Sequence, residues 1–242
     1  RPELFIPDMI NCVRMDPEEL NDIESELKRE RRKLFLSMLI PFLFIALMWI
    51  SFASEYLFDA DFSVWGIFPL NIRGLRGIFF SPFIHDGLDH ILNNTLPLFI
   101  LGTALFYFYT EVAFRVSFWI YILTGLTVWL FGRPAYHIGA SGIIYGLAAF
   151  LFFSGIIRRH IPLIGLSLLV VFLYGQLVWG IFPWQSANIS WESHMLGSVA
   201  GIFLAVYYRN KGPQKPVPFY DEEEETIQTP DENRDDNDNM IN

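Results

Sequence analysis

Ser141 stands in HIGASGIIYG (137–146), between small residues at the mouth of an apolar run. His90 opens a second apolar run in DHILNNTLPL, with Asn94 four residues on and so on the same helical face. His194 opens a third in WESHMLGSVAG. Ionisable groups inside membrane spans cost roughly 2.5–3.5 kcal/mol on insertion scales and point to function by default. Acyl transfer uses this set. A serine hydroxyl is a weak nucleophile and needs a base. His194 is of the type to take its proton and return it to a leaving amine. The developing oxyanion needs donors, which Asn94, His90 and the Ser141 backbone N–H can supply. No carboxylate stands where it would orient the imidazole; Tyr145, one turn beyond Ser141, is instead expected to stack on it.

Each piece also has a packing reading. GASG suits close helix contact, a histidine at a membrane boundary is often interfacial, and a lone Asn joins helices. Joint placement at matched depth on three helices favours chemistry. The Gly197–Gly201 pair serves both readings, because close packing of its helix on the serine helix is what a Ser–His hydrogen bond requires.

The elements that must position these residues are apolar. Of 242 residues, 52% are hydrophobic, too many for an ordinary soluble domain, and the chain is too long for one anchor. The expected fold class is an all-α polytopic membrane protein. Six spans are expected, at about 34–53, 88–109, 112–131, 141–157, 163–182 and 191–208. The aromatic, Gly- and Pro-rich stretch 54–87 is expected to be a partly membrane-inserted loop. Span 4 rises only about 26 Å against a core of about 30 Å. If RRH (158–160) anchors its far end, Ser141 lies below the surface, and the non-helical residues before it must line a cavity.

The expected organisation is a polar N-terminal segment (1–32), a membrane domain (33–210) and a disordered acidic tail (211–242). DPEELNDIESELKRE, within the first segment, is expected to be a helix lying on the membrane surface. The net charge of −9 belongs to the tail. Residues 221–242 hold ten acidic residues and one Arg, so the body is balanced and its charge implies no basic partner. One cysteine, Cys12, excludes an intrachain disulfide. A signal peptide is not expected, since about 30 mostly polar residues precede the first apolar run. Between Lys28 and Lys215, eleven Lys and Arg fall on the side of both termini and three (Arg73, Arg76, Arg133) on the other, which places both termini in the cytoplasm.

Other histidines read as supporting residues. His85 is expected to fix its loop by hydrogen bonding, and His137 and His160 lie in loops. No HExxH is present, and His85 and His90 do not share a helix face, so no metal is expected. No cofactor and no nucleic acid are expected either.

At these residues the sequence resembles the rhomboid intramembrane serine proteases, over about 33–210. GASG (139–142) matches the family's GxSG, which implies Ser141 as nucleophile with Gly139 in support. His194 followed by Gly197 and Gly201 matches the sixth-span pattern and implies the base. His90 and Asn94 match HxxxN and imply oxyanion donors. Tyr145 matches the tyrosine that packs on the base. The adjacent Trp–Arg pair usual in the first loop is replaced by LRGIFF, and the Glu after LG in span 2 is missing from LGTALFYFYTE unless Glu111 serves. No seventh span follows, so the six-span bacterial form is the nearest type. The resemblance implies a bacterial cytoplasmic-membrane protein that cuts transmembrane protein substrates within the lipid bilayer. A non-catalytic relative that binds transmembrane helices is the alternative, although such relatives typically lack the Ser or the His. A transporter is disfavoured by the absence of paired charges inside the spans.

Overall fold

The computed structural model describes residues 16–173, 180–182 and 190–213. Cys12, the part of span 5 beyond residue 173, most of the loop before span 6 and the tail from residue 214 lie outside the described residues. The described chain is helical. Its only β feature is one antiparallel bridge between Ile67 and His137.

The helices are α1 (Pro17–Phe58), α2 (Gly77–Phe80), α3 (Leu88–Phe108), α4 (Ala113–Phe131), α5 (Ser141–Arg158), α6 (Ile161–Leu173) and α7 (Trp191–Tyr207). Five of the six expected spans coincide with described helices, and span 5 is described only as far as residue 173. Four of them, α1, α3, α4 and α5, are long and apolar enough to cross a membrane. Helix α5 is the innermost of the four: 61% of its apolar window is buried, against 44%, 28% and 22% for α3, α4 and α1. A helix buried this way needs no polar face, and SGIIYGLAAFLFFSGII has none.

The N-terminal segment differs from expectation. There is no separate surface helix, and the boundary expected between residues 32 and 33 falls inside α1, which runs unbroken for 42 residues. Asp16 caps it, accepting from the Glu18 N–H at 3.3 Å, with Pro17 in the first turn. KRERRK is a strong helix former, so the change from polar to apolar sequence leaves the backbone ladder intact. Glu30 accepts from the Tyr107 hydroxyl at 2.7 Å, and Lys33 lies over the Tyr107 ring, which ties this part of α1 to the end of α3. Deeper in the bundle, Pro41 occupies the space above Gly102, where a Cβ would stand 2.9 Å from its ring.

The first loop is folded. It contains 3-10 turns at Ser63–Trp65, Ile72–Arg76 and Ser81–Phe83, with α2 between the last two. It packs on α4: Trp129 Nε1 donates to the Asn71 carbonyl at 2.9 Å, Tyr121 donates to the Phe79 carbonyl, and Ile78 fills the face of Gly125. Leu70, Ile72 and Phe79 point outward. Trp65 and Arg76, eleven residues apart in sequence, meet in space: the Arg76 guanidinium stacks 4.2 Å from the Trp65 ring centre and donates to the Val64 carbonyl. Glu111 joins Lys211 at 3.6 Å, beyond the end of α7, and so does not tie α3 to α4.

Candidate active site

Helices α3, α5 and α7 begin at the same end of the bundle. The contact between α5 and α7 rests on glycine. A Cβ on Gly197 would lie 2.1 Å from the Gly142 carbonyl oxygen, and one on Gly201 would lie 2.1 Å from the Gly146 carbonyl oxygen. Two small-xxx-small faces thus meet backbone to backbone, a mode of membrane helix packing that needs no polar group.

That approach brings two of the side chains together. His194 Nε2 is 2.8 Å from Ser141 Oγ. The other ring nitrogen, Nδ1, is 2.9 Å from the Gly180 carbonyl. A carbonyl only accepts, so Nδ1 carries the proton and Nε2 is left to accept from the hydroxyl. Tyr145 stacks on the imidazole, with centroids 4.2 Å apart and planes 9° apart. His194 is thus held by a hydrogen bond at one edge and a ring across its face, without a carboxylate.

Ser141 is the first residue of α5, after Ala140 at the N-cap. Its N–H therefore belongs to the first turn, where no intrahelical acceptor exists and the helix dipole presents positive charge. Gly139 has φ +98° and its N–H donates to the Ser81 carbonyl at 2.8 Å. A side chain there would collide with His90, whose Nε2 would lie 2.6 Å from the added Cβ. Gly139 thus answers two demands, a left-handed turn and a place for His90 two residues from the serine. Asn94 is buried, and its amide donates to the His90 carbonyl at 2.9 Å, one turn back on α3.

His85 departs from its expected role. Among the described residues neither ring nitrogen makes a hydrogen bond. The ring packs edge-on against His90, with centroids 4.9 Å apart, and burial pushes its pKa down to about 3. It serves as a neutral packing group.

Two features carry no signal in the linear sequence. The Gly180 carbonyl is backbone and has no residue-type signature. His137, read only as a loop residue, is buried and lies 2.6 Å from Ser190 Oγ, which lies 2.6 Å from Ser193 Oγ; its Nε2 is 3.1 Å from the Arg133 carbonyl. Burial lowers the His137 pKa. With the Ile67 bridge, this chain of bonds joins the first loop to the start of α7.

The sequence matches the Rhomboid domain family over residues 73–211. It is 36% identical over 174 residues to an uncharacterised protein of Mycobacterium tuberculosis, covering 67% of this chain and 71% of that one. An uncharacterised protein of Mycobacterium leprae is 34% identical over 149 residues, covering 58% of this chain and 59% of its own length. The rhomboid protease GluP of Bacillus subtilis is 28% identical over 124 residues, half of this chain and 24% of that protein.

Proposed function

The chain belongs to the rhomboid family, and from that premise we propose that it is an intramembrane serine endopeptidase with Ser141 as nucleophile and His194 as base. The observation that carries this reading is the 2.8 Å contact of Ser141 Oγ with His194 Nε2, with Nδ1 turned to a carbonyl. In this reading the hydroxyl proton passes to Nε2 as Oγ attacks the scissile carbonyl carbon. The imidazolium then protonates the leaving amine, and water repeats the sequence on the acyl-enzyme. The face of Tyr145 favours that imidazolium. The Ser141 N–H, His90 and Asn94 are the proposed oxyanion donors, each of a kind that contributes about 2.7–4 kcal/mol.

The substrates are transmembrane segments of other proteins, cut near their outer ends. A helical segment must unwind locally there, since its carbonyls are engaged in i→i−4 bonds. We place six spans in a bacterial cytoplasmic membrane, both termini inside, with the first loop's apolar side chains at the lipid boundary. The test is cleavage of a transmembrane reporter by purified protein against Ser141→Ala, with labelling by a serine-directed mechanism-based inhibitor. The reading expects cleavage and labelling that both Ser141→Ala and His194→Ala abolish. Folded protein that neither cleaves nor labels would favour the non-catalytic helix-binding alternative.

A further inference from the structure

His90 Nδ1 lies 2.6 Å from Asp86 Oδ1, four residues earlier in the loop that leads into α3. A carboxylate only accepts, so Nδ1 carries a proton. This restricts the opposite nitrogen. In the neutral ring Nε2 is then a bare lone pair, and it gains an N–H only when the ring is the imidazolium. Nε2 is also the nitrogen on the face of Gly139, two residues before Ser141. A lone pair there would repel a developing oxyanion, whereas an N–H would stabilise it.

We propose that Asp86 is a positioning residue for the reaction, one that holds His90 by Nδ1 and favours the doubly protonated ring whose Nε2–H faces the oxyanion. This rests on the reading of His90 as an oxyanion donor. The surroundings make the counter-charge necessary. His90 lies in the first turn of α3, where the helix dipole disfavours a cation. His85, edge-on from the loop, is neutral. His194, facing it from α7, adds no negative charge. Asp89 precedes it on the helix, at a position that does not share its face. The carboxylate in contact is that of Asp86. It is not spent on the helix, since α3 begins after Gly87 with no side-chain cap.

Two variants separate charge from hydrogen bonding. Asp86→Asn keeps an acceptor for Nδ1–H and removes only the charge; Asp86→Glu keeps the charge. The first readout is the ring ¹⁵N spectrum of histidine-labelled protein in detergent at fixed pH, with His90 assigned by its absence in His90→Gln. The ratio of doubly to singly protonated His90 should fall about threefold or more in Asp86→Asn, a modest effect because the pair is partly exposed. Asp86→Glu should restore it. The second readout is turnover of the transmembrane reporter. The Asp86→Asn rate should fall below wild type at that same pH with KM within about twofold, and Asp86→Glu should restore it. An unchanged ring ratio overturns the proposal, as does a rate deficit that Asp86→Glu leaves in place. If wild type does not cleave, the proposed function fails and the ring ratio still decides the role of Asp86.

Discussion

At the scale of single residues, the site is held by backbone acceptors and rings where a soluble hydrolase would use a carboxylate. Asn94 tests how the work is divided. Its amide is tied to the His90 carbonyl, so it can act by donating its second N–H, by fixing the first turn of α3, or by both. As an oxyanion donor, Asn94→Ala costs about 10–10³-fold in turnover with little change in substrate binding. The double variant with His90→Ala should lose less than the product of the singles, because both act on one oxygen. A lower melting temperature with an unchanged rate per folded molecule would remove Asn94 from the chemistry. His85 makes a separate prediction. Its folded pKa of about 3 lies below the ordinary 6.5, so the unfolded chain takes up the proton first. Stability is therefore full above about pH 6.5 and falls as pH drops toward 3, by about 2 kcal/mol at pH 5. His85→Leu should reduce the fall in melting temperature between pH 7 and pH 5, since no hydrogen bond among the described residues is lost. Equal acid sensitivity in the variant would show that other groups govern it. The Ser141–His194 contact and the Tyr145 ring stack were legible in the sequence because spacing fixes which helical face a residue occupies. The Gly180 carbonyl was not, since backbone acceptors have no residue signature. The Trp65–Arg76 stack was not either, because its members stand eleven residues apart in a loop without periodicity.

At the scale of elements, the register of α7 on α5 decides whether a dyad exists. Gly197→Ala puts a methyl 2.1 Å from a carbonyl oxygen on the facing helix, and neither backbone can yield locally. The helices must separate, at a cost of about 1–3 kcal/mol or more. The Ser–His contact, one turn away, would lengthen with them. Turnover should fall at least tenfold with a lowered melting temperature. Gly165→Ala in α6 is the control: among the described residues nothing lies within 4 Å of the added methyl, and the effect should be neutral or slightly stabilising. Near-normal turnover of Gly197→Ala would mean that close approach is not what sets the dyad. The helices themselves were readable, because long apolar runs between Gly, Pro and charged turns leave few alternatives; α3, α4, α5 and α7 end within a residue or two of the expected bounds. The continuity of α1 was hidden because a basic cluster marks the lipid boundary in sequence but leaves helix propensity unchanged.

At the scale of the whole molecule, one orientation must satisfy both charge and chemistry. The starts of α3, α5 and α7 lie at the end carrying the candidate site, with Arg73, Arg76 and Arg133 in the connections there. The opposite end carries the basic cluster of α1, Arg115, and the Arg158 junction. Arg158 is buried there and donates to the Tyr208 carbonyl at 2.7 Å and to the Lys211 carbonyl, joining the end of α5 to the chain beyond α7. Of these cations, Arg158 and Lys211 stand by the carbonyl ends of α5 and α7, where positive charge complements the helix dipole. An excess of Lys and Arg on that side also retains it in the cytoplasm during insertion. The two effects agree, so the site should face outward. A reporter fused after Asn210 should be cytoplasmic, and one inserted at Arg133 should be external, read by paired reporters that are each active on one side only. Charge should also be the cause. Replacing the five basic residues of 28–33 with Gln removes five of the eleven cytoplasmic-side cations between Lys28 and Lys215 and should yield a mixed or weakened orientation signal. A C-terminal reporter found outside in the native sequence would reverse the assignment. It would put Ser141 and His194 at the cytoplasmic face, and substrates would then have to be sought among segments unwinding on that side.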